Sequence, residues 1–427
     1  MSNYKRIHFI GVGGIGMSGL ARLYLHEGAV VSGSDRALSD LTRALEAEGV
    51  TFFAEQSAEN ITNDIDLVVY TEAMSKDHPE MTAARALGVP MMNYFEALGA
   101  VANEYYLIAV AGTHGKTTTT AMLIDIFEQA GLDPTAIVGS LRSSTGKNYR
   151  AGKSKYFIVE ACEYKRDFLS LNPDVLVITN IEPEHLDYYH DLADIQSAFT
   201  ELATKVPAEG AIIASVRDAN VAPVLEGVAA TVIDYKDSVD LVSPMKQPGL
   251  HNRFNAAAAR AAATFCGVAE GVAGQATSEF AGTWRRFEYK GELQGAPIYD
   301  DYAHHPTELA ATMAGARELY PDKNLVVVFQ PHLYSRTAEQ FDGFVAELSK
   351  GDQVILTHVY DARDTGGGVT GERLAVAVKE KNPNTEYFEK FDDIVANLKE
   401  TIIKDDVVLV VGAGDVSSVA TNLTKHF

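Results

Sequence analysis

The chain has 427 residues, 46% hydrophobic and 22% charged, with a formal net charge of −22 and two cysteines. That length accommodates several packed cores, the acidity excludes general binding to nucleic-acid backbones, which takes clustered Lys and Arg, and two cysteines are too few for a disulfide framework. No apolar stretch reaches the length of a membrane span, so a cytoplasmic protein with neither a membrane nor a nucleic-acid partner is expected.

The first strand-like run, "IHFIGV", leads into a turn with five glycines between residues 11 and 19. Gly11, Gly13 and Gly16 satisfy G-x-G-x-x-G at the start of a helix, and Asp35 closes the next apolar run, "AVVSGSD". Lys5 and Arg6 ahead of an apolar run imitate a secretory leader, but the glycines interrupt it, and strand, turn and helix is the better reading. Taken alone, this is a dinucleotide fingerprint, so an NAD-dependent oxidoreductase is one functional reading. The same device, a helix N-terminus with open backbone N–H groups, holds any diphosphate.

Further β-branched runs follow: "DLVVYT", "YLIAVAG", "YFIVEA", "VLVITN", "AIIAS", "NLVVVFQ", "QVILTHV" and "VVLVVGAG". Helical patterns separate them, which makes the class α/β, with parallel sheets covered on both faces. Strand-then-glycine units recur at Gly11, Gly112 and Gly412. The helical "NYFEALGAVANEY" before "YLIAVAG" sets a boundary near residue 106. The change from alanine-rich sequence to "WRRFEYKG" sets another near Thr283. The expected domains are 1–106, 107–282 and 283–427.

The second glycine unit reads "AGTHGKTTTT", between "YLIAV" and the helical "AMLIDIFEQAG". A triphosphate site needs N–H groups that wrap phosphates, a lysine against their charge and a hydroxyl for Mg2+. Lys116 and Thr117 suit the last two roles. The general G-x-x-x-x-G-K-[ST] pattern would put glycine at 110, where Val110 stands, so this is a variant loop that begins at Gly112.

Acidic and histidine clusters sit past later strands. "FIVEACEYKRDF" presents Glu160 and Glu163, and "VITNIEPEHLDYYHD" presents Glu184, His185 and Asp187, at strand ends where α/β proteins place ligands. Each is by itself also readable as a polar loop tip. "GLHNRFNAAAA" opens a helix with His251, Asn252 and Asn255. Asn255 offers the donor and acceptor that an adenine edge needs, whereas Asn252 also reads as a helix cap. In "IYDDYAHHPTE" the adjacent His304 and His305 point apart on an extended chain, which disfavours a shared transition metal. "VVVFQPHLYSRT" sets His332 and Arg336 beyond a buried strand, with Arg336 able to fork onto a carboxylate.

In this order, "GVGGIGMSGLA", "AGTHGKTTTT", "VEACEYKRDFL", "ITNIEPEHLDYY", "GLHNRFNAAAA", "RRFEYKG", "DDYAHHPTE" and "FQPHLYSRT" resemble the Mur ligases from about residue 7 to about residue 345, and more weakly beyond. The resemblance implies a Rossmann-like N-terminal domain whose glycine loop holds a UDP-sugar in place of NAD, a central P-loop ATPase domain, and a Rossmann-like C-terminal domain for the amino acid. The implied activity is ATP-dependent joining of L-alanine to the lactyl carboxylate of UDP-N-acetylmuramate, in peptidoglycan precursor synthesis. The alternative within the family attaches a recycled murein tripeptide to the same sugar.

Residue by residue, the resemblance implies Gly13, Gly14, Ile15, Gly16, Met17, Ser18, Asp35 and Thr71 for the UDP-sugar. It implies Gly112, Thr113, Gly115, Lys116, Thr117, Thr118, Asn255, Arg286 and Asp301 for ATP. Mg2+ or Mn2+ falls to Thr117, Glu160 and His185, and catalysis to Lys116, His114, Glu160 and His185. Tyr302, His332 and Arg336 are implied for the amino acid. The partners implied are the small-molecule substrates, with the chain a monomer or homodimer. Three departures stand out: Cys162 where the family has aspartate, Glu72 in a turn that commonly carries serines near the UDP-sugar, and Leu333 where arginine is frequent.

Overall fold

The computed structural model describes residues 4–186, 188–241, 245–361 and 368–425. They form two compact units, one of Met1–Met245 with Phe254–Phe280, the other of Lys246–Arg253 with Ala281–Phe427.

The first unit holds two sheets. β1 (Arg6–Ile10), β2 (Val30–Ser34), β3 (Thr51–Phe53), β4 (Leu67–Tyr70) and β5 (Met91–Asn93) pair in parallel in the order β3-β2-β1-β4-β5. The order reverses at β1, and Gly11 follows its C-terminal end, the switch point where sheets of this kind take their ligands. The second sheet comprises β6 (Tyr106–Ala111), β7 (Thr135–Arg142), β8 (Lys147–Arg150), β9 (Tyr156–Glu160), β10 (Val175–Ile178), β11 (Ala211–Ala214) and β12 (Thr231–Asp234). Its order is β12-β11-β10-β6-β9-β7-β8, parallel except for the β7–β8 hairpin. β6 therefore lies between β9 and β10, and the loop after it is flanked by their C-terminal ends.

Both faces of the interior strands β4, β6, β9, β10 and β11 are buried over most of their length, which is why Ile, Val, Leu and Ala dominate them. One hydrophobic cluster passes from the first sheet into the second through Phe9, Leu20, Leu98, Phe157, Phe168 and Phe199. Gly99 belongs to this seam: a Cβ there would fall 2.4 Å from the Ser170 carbonyl oxygen.

The second unit is built on β13 (Glu288–Leu293), β14 (Ala296–Asp301), β15 (Asn324–Phe329), β16 (Gln353–Leu356), β17 (Thr385–Tyr387) and β18 (Asp406–Val411). Their order is β13-β14-β18-β15-β16-β17, with only β13 antiparallel. Separate clusters pack the two faces of this sheet. Among the described residues no helix is long and apolar enough to cross a membrane.

Candidate active site

In the first sheet the glycine turn is shaped by its neighbours. Gly11 has φ +83°, and a Cβ there would meet the Thr71 methyl at 2.7 Å. Asp35, at the end of β2, accepts from the Gly13 N–H at 2.9 Å and from the Ala37 N–H at 3.0 Å, so its carboxylate braces the loop. Gly14 caps the helix Ile15–His26, whose first turn contains Ile15, Gly16, Met17 and Ser18. Ser18 is buried, donating to the Ile15 carbonyl at 2.9 Å and facing Asn148 of the β7–β8 hairpin at 3.0 Å. Its side chain thus lies in the seam between the two sheets. Glu72 lies 3.4 Å from Lys165, so the acid that departs from the family pattern has its own counter-ion.

The loop after β6 is held from both sides. The Thr113 N–H donates to the Asn180 carbonyl at 3.0 Å, the His114 N–H to Asn180 Oδ1 at 2.9 Å, and Thr179 Oγ1 to the His114 carbonyl at 2.6 Å. Gly112 and Gly115 have φ of +131° and +84°, and Cβ atoms there would fall 2.1 Å from Thr179 Oγ1 and 2.4 Å from Asn255 Oδ1. Both positions exclude side chains on conformation and on space. The contact at Gly115 brings Asn255 from the helix Leu250–Phe265 to the loop. Lys116 and Thr117 then open the helix Lys116–Gln129, with Thr117 and Thr118 buried in its first turn.

Lys116 Nζ donates to the Gly112 carbonyl at 2.5 Å, to that of Thr113 at 3.0 Å and to Glu163 Oε1 at 3.1 Å. Burial opposes its charge, but Glu163 and the neighbouring groups outweigh burial and raise its pKa. Thr117 Oγ1 is 2.9 Å from both oxygens of Glu160, and Glu160 Oε2 accepts from the Gly139 N–H at 2.9 Å. His185, with φ +56°, lies 3.7 Å from Glu163 and packs its ring 4.8 Å from that of Tyr164. His185 is therefore placed against Glu163. His114 lies 3.6 Å from Glu182. Asp187 is outside the described residues.

These side chains fit a magnesium ion. Thr117 and Glu160 supply oxygen donors, the kind a hard cation takes, and Gly139 leaves open the space beside Glu160 that a Cβ would fill at 2.4 Å. Glu163 Oε2 is buried and, among the described residues, accepts no hydrogen bond in addition to its ion pair with Lys116. Cys162 lies beside this group with its thiol pushed up to about 12, by burial first and then by Glu163. It is neutral where the family has a carboxylate.

In the second unit the candidate residues lie just before β13 and past β14 and β15. Asp301 accepts from the Phe287 and Ala303 N–H groups, both at 2.7 Å. Arg286 lies 3.6 Å from Glu308 and over the Tyr302 ring at 5.3 Å. His332 Nδ1 is 3.0 Å from Arg336 Nη1, and its ring stacks on Tyr360 with 5.7 Å between centroids. The adjacent histidines do take different partners: His304 Nδ1 is 3.0 Å from the Tyr302 carbonyl, while His305 Nδ1 accepts from the Thr307 N–H at 3.3 Å. Asn252 donates to the Pro248 carbonyl at 2.8 Å and is the third residue of the helix Leu250–Phe265, so it does not stand at the helix's N-cap position. His251 is held near 4 by burial and stays a neutral imidazole. Leu333 has φ +66° and precedes the helix Tyr334–Glu339 that carries Arg336.

Sequence reasoning missed Thr179, Asn180 and Asn148. The first two lie inside the quoted "VITNIEPEH", where a polar pair directly after a buried strand is the available signal.

Two strand–glycine-loop–helix units in one compact body, the second with Lys and Thr at its helix start, define a nucleotide-binding α/β protein. The chain belongs to the Mur ligase family. The model described as Mur ligase family, catalytic domain, matches residues 6–106, the Mur ligase middle domain matches 110–238, and the Mur ligase, glutamate ligase domain, matches 285–414. The UDP-N-acetylmuramate–L-alanine ligase of Agathobacter rectalis is 42% identical, over 98% of this chain and 97% of its own. That of Caldanaerobacter subterraneus is 38% identical, over 100% and 98%. Among solved structures, the UDP-N-acetylmuramate–alanine ligase of Thermotoga maritima superposes with a TM-score of 0.82 at 27% identity, over 98% of each chain. A murein peptide ligase of Psychrobacter arcticus gives 0.71 at 25%, over 99% of each.

Proposed function

We propose that this protein is a cytoplasmic ligase that joins L-alanine to the lactyl carboxylate of UDP-N-acetylmuramate at the expense of ATP. The observation that carries the reading is the full-length likeness, at 42% identity, to a ligase of that name. The geometry supplies a route. A carboxylate is a poor electrophile, so its oxygen first takes the γ-phosphoryl group of ATP, forming an acyl phosphate as the bond to ADP breaks. The amine of L-alanine then attacks the acyl carbon, and the tetrahedral intermediate releases phosphate and a proton.

Lys116 serves the first step by exchanging Glu163 for the phosphates and offsetting the charge that carboxylate and triphosphate bring together. The first turn of the helix Lys116–Gln129 offers backbone N–H groups to the same phosphates. Thr117 and Glu160 would hold Mg2+, with His185 the further ligand that the family resemblance implies, and the ion would supply charge neutralisation on the triphosphate. Asn255 reads adenine, and the family resemblance also implies nucleotide-binding roles for Arg286 and Asp301. Arg336, oriented by His332, grips the amino-acid carboxylate.

Phosphate release from ATP and Mg2+ tests this directly. Release that needs both UDP-N-acetylmuramate and L-alanine is the expected result, with turnover falling by orders of magnitude in Lys116→Ala while the melting temperature holds. Release with the murein tripeptide in place of alanine moves the protein to the recycling activity, and NADH binding revives an oxidoreductase.

A further inference from the structure

Tyr94 belongs to none of the motifs that carry the family resemblance, yet it stands on the ligand face of the first unit. It is the first residue of the helix Tyr94–Ala102, whose start is fixed by a reciprocal cap: Asn93 Oδ1 accepts from the Glu96 N–H at 2.9 Å, and Glu96 Oε2 from the Asn93 N–H at 2.8 Å. Phe95 packs edge-on against the ring, 4.7 Å between centroids. The ring in turn lies on Gly16, where a Cβ would fall 2.8 Å from Tyr94 Cζ and 2.9 Å from its Oη.

Gly16 is the second residue of the helix Ile15–His26 and is not among the positive-φ glycines. Its lack of a side chain therefore serves the close approach of the ring. The phenol hydroxyl consequently lies at the helix turn whose backbone N–H groups have no partners within the helix. Burial, then the charge of Glu160 on the adjoining sheet, raise the phenol's pKa, so the hydroxyl keeps its proton and acts as a neutral donor. Among the described residues nothing hydrogen-bonds this hydroxyl.

We propose that Tyr94 is a substrate-binding residue whose hydroxyl donates a hydrogen bond to the diphosphate of the sugar nucleotide on the glycine loop. The third glycine of the fingerprint is glycine so that the ring can reach this place. The inference rests on the sugar-nucleotide reading given above and adds to it a contact that the glycine loop alone does not provide.

Tyr94→Phe keeps the ring on Gly16 and removes only the hydroxyl. Calorimetric titration of the full chain with UDP and with UDP-N-acetylmuramate is expected to show both weakened about tenfold, the loss typical of a hydrogen bond to a charged group. The KM for the sugar nucleotide rises by the same factor, while the KM for ATP and the melting temperature stay unchanged. Equal affinity of wild type and Tyr94→Phe for UDP overturns the proposal. So does a loss confined to UDP-N-acetylmuramate, which puts the hydroxyl on the sugar or its carboxylate. Wild-type protein that binds neither compound overturns the sugar-nucleotide reading itself, and the assignment of Tyr94 with it.

Discussion

Asp300, at the end of β14, is 1% exposed, with its Oδ2 3.3 Å from Arg285 Nε. Burial pushes its carboxyl up to about 6; Arg285 opposes this, while Asp301 and Glu288 add to it. A folded-state pKa above the unfolded one means that the native protein holds the proton more tightly. The stabilisation is therefore full below about pH 4 and lost as the pH rises through about 6. Asp167, pushed up to about 6 by burial and Glu72, acts in the same direction. Asp300→Asn should flatten the decline in melting temperature between about pH 4.5 and pH 7, by a share on the order of 2 kcal/mol. Identical slopes for variant and wild type refute this. At this scale the phosphate-loop residues were legible because chemistry and local order coincide in "GTHGKTT". Tyr94 was not, because its place depends on Gly16, on another helix of the same sheet, and nothing local in "MNYFEA" records that contact.

The β7–β8 hairpin packs on the helix Ile15–His26 of the first sheet, and one side chain makes its polar contacts there. Asn148, fully buried in β8, donates to the Ile15 carbonyl and to Ser18 Oγ, and accepts from Arg22 Nη1 at 3.1 Å. Asn148→Ala strands Arg22 and the first turn of the glycine-loop helix without those partners. Urea unfolding should show a loss of about 2 kcal/mol, and a loss under about 0.5 kcal/mol refutes the seam role. The hairpin also marks where reading strands from apolar runs stops working. The ten runs that read as strands are all interior to their sheets, whereas the edge strands β3, β5, β8, β12, β13 and β17 have none. An edge strand is short or carries polar side chains, so its pairing leaves little trace in hydrophobicity. Two interior strands were also illegible: Gly139 divides β7, and β14 carries Pro297 near one end and Asp300 and Asp301 at the other.

The three sheets, their α/β class and their place in one family were legible in the order of the motifs. That two of them form one compact body was not, because the docking depends on single contacts such as Asn148 on Ser18 and Gly99 on Ser170. The hydrophobic clusters respect this division: those of the first unit include no residue beyond Phe280, and those of the second begin at Phe287. Each unit thus has its own buried core, the condition for unfolding as its own cooperative block. The sugar-nucleotide loop lies wholly in the first unit. A ligand that binds only the native state stabilises what it binds by about 2.7 kcal/mol at a hundred times its Kd. Scanning calorimetry with saturating UDP should therefore show two transitions and raise only the one that belongs to the first unit, by several degrees. A single transition displaced as a whole would mean that unfolding couples the units despite their separate cores. No displacement at all would remove the sugar nucleotide from the glycine loop.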